Sequence, residues 1–483
     1  GRVAVAVLLL LVHAGLAIVG PLLTQRALDE AIPAGDRGLL VWYAVAYLAA
    51  LIVTFAVDYC QTILTTGIGQ RVMYDLRMTV FRHLSRLPVS YFDRHPVGRL
   101  MTRLTSDVET LNDLFSSGVV SVFGDLFTLV AITALMLAID WRLSLVAFLV
   151  LPVMWGVVTA FRRRVRQAFR DIRTRVARLN AYLQEQLAGI QVLQLFGREK
   201  ASAEGFDRAN REHLEAHERS ITIYAIFFPA VELVTSVATA LLLVEGGNRI
   251  VGGTLTVGVL AAFLQLVRRF FQPIQDLSEK VNLLQSAMAS SERIFRLLDT
   301  PVEVGDPPDP VPAPRGGGEV VFEGVWFRYA EDGPWVLQDV SFRAAPGETV
   351  ALVGHTGAGK TTIISLLLRF YDPTRGRILL DGVDIRNLRL EDLRRRFGFV
   401  QQDLFLFAGD IRRNLALDPG TSEAALTSAI AQVGLEGFIE RLPGGLDHVL
   451  TDRGRNLSVG ERQLLSFARA MARTPEILLL DEA

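Results

Sequence analysis

The chain of 483 residues holds a single cysteine, Cys60. That excludes an internal disulfide framework and any zinc site built from cysteines. Lysine is nearly as scarce: Lys200, Lys280 and Lys360 are the only ones, so almost all positive charge is arginine. Neither sign dominates, with Lys+Arg 50 against Asp+Glu 51, so no nucleic-acid partner is expected. A charged fraction of 21% is too high for a chain lying wholly in a bilayer. A mean hydropathy of +0.32 is too high for an ordinary soluble enzyme. A membrane half joined to a soluble half satisfies both.

Long apolar runs are plentiful, but they stop near residue 270. Six occur: Val3–Leu23, Leu39–Cys60, Val119–Ile139, Leu143–Ala160, Ile221–Val244 and Leu255–Val267, the last extended by Phe270 and Phe271. Most approach the roughly 20 residues that cross about 30 Å of hydrocarbon. The short links after the first, third and fifth runs are poor in arginine, Arg37, Arg142 and Arg249 being among the few they hold. The long links carry Arg71, Arg77, Arg82, Arg86, Arg94, Arg99 and Arg103, then Arg162–Arg164, Arg166, Arg170, Arg173, Arg175 and Arg178. The basic side stays in the cytoplasm, and so does everything after the sixth run.

The basic links read as helix, not loop. No proline interrupts Leu39–Arg86, and Leu76, Val80, Phe81 and Leu84 keep a helical period beyond the membrane. About 48 residues at ~1.5 Å each give a rod of ~70 Å, more than twice the hydrocarbon thickness. Trp141–Phe196 and Phe206–Val244 are expected to do the same. A short turn, Pro88–Pro96, carries Tyr91 and Phe92 at one rod tip, and a second falls near Gly197. Aromatics there suit a docking surface, or packing between their own rods. Asp125, Glu232, Arg268 and Arg269 fall in the inner half of the bilayer and Asp58 near its boundary. They serve as interhelical pairs, as a polar cavity wall, or both.

The expected division is a six-helix membrane domain over 1–298, a Pro- and Gly-rich linker over 299–318, and an α/β nucleotide-binding domain over 319–483. In the last, Val320–Phe322, Val325–Phe327, Thr349–Val353, Arg377–Leu380, Phe397–Val400 and Ile477–Leu480 read as strands. Gly354-His-Thr-Gly-Ala-Gly-Lys-Thr-Thr362 stands between the expected strand Thr349–Val353 and an apolar helix, Ile363–Phe370. This is a P-loop: glycines let successive N–H groups curl round phosphates, Lys360 reaches the β/γ-phosphates, and Thr361 offers a hydroxyl to Mg²⁺. Ile477–Leu480 ends in Asp481, placed to hold Mg²⁺, and Glu482, placed to deprotonate the attacking water. Between them lies Leu457-Ser-Val-Gly-Glu-Arg-Gln463.

With these three motifs in this order, essentially the whole chain resembles the ATP-binding cassette transporters, specifically exporter-type half-transporters with six helices fused to one cassette. The resemblance implies ATP and Mg²⁺ as cofactors and adenine stacked on Tyr329. The P-loop residues Gly354, His355, Thr356, Gly357, Ala358, Gly359, Lys360, Thr361 and Thr362 hold the phosphates. Gln402, beside the weaker candidate Gln401, contacts Mg²⁺ and water. Ser458 and Gly460 reach the γ-phosphate held by a second cassette. The turns at Tyr91–Phe92 and Gly197 become the coupling helices. The implied activity is ATP-driven export of a small amphipathic or hydrophobic substrate across the cytoplasmic membrane, and the expected localisation is multi-pass in that bilayer. An exporter-fold importer and a nucleotide-gated channel share the scaffold, but Lys360, Asp481 and Glu482 favour an active ATPase.

Two features depart from the family pattern. The signature usually reads Leu-Ser-Gly-Gly-Gln; here Val459 and Glu461 replace a glycine and the glutamine. A β-branched residue stiffens the backbone and a carboxylate opposes phosphate. Such signatures occur in heterodimeric exporters, so a second, different half-transporter is the favoured partner and a homodimer the alternative. The chain also begins inside an apolar run and stops at Ala483, before the family's D-loop and switch histidine, so a longer parent protein is expected.

Overall fold

The computed structural model describes residues 2–312, 314, 316–418 and 420–481, and the backbone alone at 117, 119–121, 274–279, 281 and 282. It comprises two compact units. The first runs to Val80 and resumes over Thr102–Leu297; the second joins Phe81–Met101 to the chain from Leu298 onward.

In the first unit the long helices are α1 (Arg2–Arg26), α2 (Arg37–Leu84), α3 (Val120–Ile139), α4 (Leu151–Ala188), α5 (Glu199–Val251) and α6 (Val257–Leu298). Among the described residues, five helical stretches are long and apolar enough to cross a membrane; the sixth expected run lies in α6. At 48 and 53 residues, α2 and α5 continue well beyond a bilayer's thickness, as the unbroken period requires. The rod expected over Trp141–Phe196 is instead broken twice. A helix over Trp141–Phe148 ends in a turn at Leu149–Val150, where Pro152 sets the first turn of α4. Gly189 then separates α4 from a short helix, Ile190–Leu195, which Gly197 closes in the left-handed region at φ +58°.

Buried side chains of α3 to α6 fill the bundle: Met136, Phe263, Leu266 and Phe271 are almost wholly enclosed, and Phe161 stacks on Phe227 at 3.8 Å. On the outer side Arg249 donates two hydrogen bonds, 2.9 and 2.7 Å, to the Asp140 carboxylate. That carboxylate also caps the helix starting at Trp141 by accepting from the Leu143 N–H. Of the ionisable groups in the apolar runs, Asp125 pairs with Lys280 and Asp58 with His13, whereas Glu232 and Arg268 are exposed.

The second unit holds a four-stranded antiparallel sheet in the order β2–β1–β3–β4, with β1 Val320–Phe327, β2 Leu337–Ala344, β3 Arg375–Leu380 and β4 Val383–Asp384. A parallel pair follows, β5 (Phe397–Val400) with β8 (Ile477–Leu480), and a short antiparallel pair, β6 (Gly409–Asp410) with β7 (Val449–Leu450). The two strands read at Val320 and Val325 are one, bulged at Gly324, whose φ of +54° suits glycine. The strand expected at Thr349–Val353 does not form: no ladder partner lies beside it among the described residues, and Val353 is 91% exposed. Phe322, Leu366 and Ile378 centre one core and Leu406, Ile411 and Leu465 another. Each such side chain contributes about 1.5–3 kcal/mol by burial. The Pro-rich segment is more than a spacer. Val311 makes an isolated parallel bridge to Leu388, Asp306 accepts from the Leu390 N–H at 2.8 Å, and Asp381 accepts from the N–H groups of Gly318 and Glu319.

Candidate functional site

The P-loop is shaped by its glycines. Gly357 and Gly359 sit at φ +85° and +91°, where side chains are strained, and a Cβ on Gly359 would also come within 2.7 Å of Leu337 Cδ2. Gly359 is followed directly by α7 (Lys360–Leu367), so the loop delivers its N–H groups to a helix N-terminus. The Lys360 ammonium is folded over the loop, donating to the carbonyls of Gly354 and His355 at 2.8 and 3.2 Å. A phosphate offers a charged acceptor in place of those neutral ones, a stronger partner for an ammonium.

The carboxylate end is set by strand register. Val400 lies opposite Leu480 in the parallel pair, so β5 and β8 end on the same edge. Asp481 follows β8; its N–H donates to the Val400 carbonyl and its side chain is buried. Its Oδ1 accepts from the Thr361 hydroxyl at 3.2 Å, which brings the carboxylate and hydroxyl named for a metal into contact. Both are hard oxygen donors, as Mg²⁺ requires. Gln402 leaves the same edge two residues past Val400 and is exposed. Glu482 lies outside the described residues.

Tyr329 is tied to the loop. The residue is 41% exposed, its hydroxyl lies 2.8 Å from the buried Thr362 Oγ1, and the Tyr371 ring meets its ring edge-on at 5.1 Å. The short helix Val89–Arg94, at the turn noted for Tyr91 and Phe92, belongs to this unit. Its Arg94 donates to the Tyr329 carbonyl, and its Asp93 accepts from the Tyr371 hydroxyl. Burial and the Asp93 carboxylate push the Tyr371 phenol far above its ordinary range, so it remains a donor at any physiological pH. The sequence offers the neighbouring aromatics, and Arg94 as one of the link arginines, but not the bonds of Asp93 and Arg94; Tyr371 directly follows the apolar helix expected over Ile363–Phe370.

The signature segment stands apart. No hydrogen bond among the described residues links Ser458 or Gly460 to the P-loop. Ser458 caps α8 (Val459–Met471): its hydroxyl accepts from the Glu461 N–H at 3.3 Å, and Glu461 accepts from the Ser458 N–H at 2.7 Å. This capping box holds the Glu461 carboxyl below the usual range, the backbone N–H being the main cause. Val459 is 65% exposed, and Gly460 has open space where a Cβ would stand.

Apolar helices long enough to cross a membrane, joined to a P-loop beside a strand-end carboxylate, define a nucleotide-driven membrane transporter. Comparison with known proteins gives the particular family. Residues 3–274 match the ABC transporter transmembrane region and residues 337–483 the ABC transporter family. The chain is 32% identical to an ATP-dependent lipid A-core flippase of Syntrophus aciditrophicus, over 100% of this chain and 80% of that protein. It is 37% identical to a fatty acid ABC transporter ATP-binding/permease protein of Mycobacterium bovis, over 90% of this chain and 68% of the other. A bacterial Atm1-family ABC exporter solved with ATP bound superposes with a TM-score of 0.78 at 26% identity, covering 100% of this chain and 85% of that one. The chain belongs to the ATP-binding cassette transporters. It is a multi-pass, ATPase-coupled exporter with its ATP-binding domain in the cytoplasm, and its half-transporter organisation makes a dimer the working unit.

Proposed function

We propose that this protein exports a lipid-like amphiphile, and that each nucleotide is held between the P-loop of one chain and the signature of another. The carrying observation is the connected set Tyr329–Thr362 and Thr361–Asp481 round Lys360, set against a signature that makes no bond to it. In this reading Tyr329 stacks on adenine, residues 354–362 enclose the phosphates, and Lys360 compensates β/γ charge. Thr361, Asp481 and Gln402 would hold Mg²⁺, which neutralises charge on the transferring phosphoryl group. Glu482 takes the proton of the attacking water. Ser458 and Gly460 of the opposite chain close the site. The helix Val89–Arg94 reports that closure, because Arg94 and Asp93 are bonded to Tyr329 and to the Tyr371 beside it.

The lipid-like substrate rests on the named relatives, which handle a lipid A-core and fatty acids. The preferred partner is a second, different half-transporter, because Val459 stiffens the signature that a homodimer would use twice. The test is ATP-dependent movement of a labelled phospholipid in proteoliposomes, with this protein purified alone and with co-expressed half-transporters. Movement that needs ATP supports export; equally brisk transport by the protein alone replaces the heterodimer with a homodimer. Ohmic conductance without substrate-stimulated ATPase would instead favour a nucleotide-gated channel.

A further inference from the structure

The membrane unit contains a cavity of about 440 Å³ between α1, α2, α3 and α6. Leu16 and Leu51 give it apolar wall; Tyr47, Thr54, Thr128 and Gln272 give it polar wall. Three ionisable groups face it, His13, Asp125 and Arg269, and their partners differ in kind. Asp125 is paired with Lys280, and His13 is bonded to the Asp58 carboxylate at 2.5 Å. Arg269 donates to a neutral group, the Ala17 carbonyl, and no carboxylate among the described residues lies within ion-pair distance of it.

That anchor is explained by proline. Pro21 lies inside α1 and has no N–H to give the carbonyl four residues earlier, which is that of Ala17. The freed carbonyl would be costly in hydrocarbon, and the Arg269 guanidinium satisfies it. Gly20 makes room for this arrangement: a Cβ there would stand 3.1 Å from the Tyr47 ring and 3.8 Å from an Arg269 terminal nitrogen. One hydrogen bond to a carbonyl uses one of the five guanidinium N–H donors and none of its charge. A charge at this depth needs compensation or a cavity ligand. Arg269 lies about 12 residues, or ~18 Å, from the outer end of α6, which puts it in the inner half of a ~30 Å core.

From this we infer that the cavity binds an amphiphile through an acidic headgroup, with the carboxylate or phosphate on Arg269 and the chain along Leu16 and Leu51. The inference rests on the export reading and names the substrate class for it. A cationic headgroup is disfavoured, because both nearby carboxylates already hold a partner and Arg269 would repel it.

The test is equilibrium binding, without nucleotide, to the full-length transporter in nanodiscs of uncharged lipid. Four probes share a chain of equal length: palmitate, palmitoyl-lysophosphatidate, hexadecanol and hexadecyltrimethylammonium. The acids should bind about tenfold or more tightly than the alcohol and the cation, and the order of palmitate and lysophosphatidate tells carboxylate from phosphate. Arg269→Gln should erase that preference and Arg269→Lys keep most of it. Asp125→Asn removes a negative charge from the wall and should tighten palmitate binding, a gain that misfolding cannot produce. Headgroup-blind binding, a preference for the cation, or an unchanged ranking in Arg269→Gln would overturn the inference. ATP-dependent transport is measured separately, so export can stand while this specificity falls.

Discussion

The P-loop region and the signature segment are built by different means. Around the P-loop, tertiary contacts from distant parts of the chain do the work: Thr361 meets Asp481 across 120 positions, and Tyr329 meets Thr362 across 33. At the signature, contacts are local. Ser458 and Glu461 satisfy each other over three positions, and Val459 and Gly460 face outward. A tertiary network fixes a site within one chain, whereas a locally finished helix start is free to present itself to another molecule. In the proposed composite site, this difference separates the half that a single chain assembles from the half that it presents.

Breaking the P-loop end should have the largest effects. Glu482→Gln, in the full-length protein, should retain ATP binding and lose hydrolysis by about 10²–10⁴-fold, since the proposed role of the carboxylate is on water in the transition state. Single-turnover ATPase with parallel nucleotide binding checks this; near-normal turnover would remove Glu482 from the general-base role. Lys360→Ala should instead weaken ATP binding by about 10–100-fold, through loss of a charge-assisted contact to phosphate. Equal ATP affinity in a folded variant would mean that the ammonium serves only the carbonyls of Gly354 and His355.

The link between the P-loop end and the rod tip is the next target. Asp93→Asn and Tyr371→Phe each alter one hydrogen bond that touches no nucleotide. Substrate stimulation of ATPase should fall severalfold while ATP affinity stays within about twofold, the scale of one polar contact. Reduced ATP affinity with normal stimulation would turn the Tyr371–Asp93 pair into a support for Tyr329 alone.

What the sequence made legible follows the same division between local and distant. The apolar runs, the rods of α2 and α5 and the P-loop glycines are written in neighbouring residues and were readable. The pattern Ser458-x-x-Glu461 is likewise local and is that of a capping box. The breaks at Leu149–Val150 and Gly189 were not readable: both interrupt a helical pattern that continues on either side, and Pro152 is tolerated in a first turn. The strand β2 was missed because Asp339, at φ +51°, and shifts in register disturb its alternation. Thr349–Val353 has the composition of a strand, but β-propensity reports fit to a sheet and cannot supply the neighbour. Asp93 meets Tyr371 across 278 positions and Arg94 meets Tyr329 across 235, separations over which local pattern is silent.

The smallest expected effect separates the two departures in the signature. Val459 sits on the exposed first turn of α8, where a glycine would free the backbone facing a partner, so Val459→Gly should raise ATPase of a homodimer while changing a heterodimer little. Glu461→Gln should change either by less than about twofold. Glutamine serves the capping box as glutamate does, so the N–H of Ser458 keeps its acceptor. Moreover, the native carboxylate is already turned back to Ser458 at 2.7 Å. The two side chains differ in pH response. Because the folded-state carboxyl of Glu461 is held below its ordinary value, its stabilising contribution is present above the unfolded value and is lost as pH falls through the folded one. Hydrogen exchange at the first turn of α8 should therefore show extra opening in acid for the native protein and not for Glu461→Gln, after correction for intrinsic rates. If Glu461→Gln raises homodimer ATPase as much as Val459→Gly does, the carboxylate opposes phosphate across the dimer after all, and the cap is incidental to it.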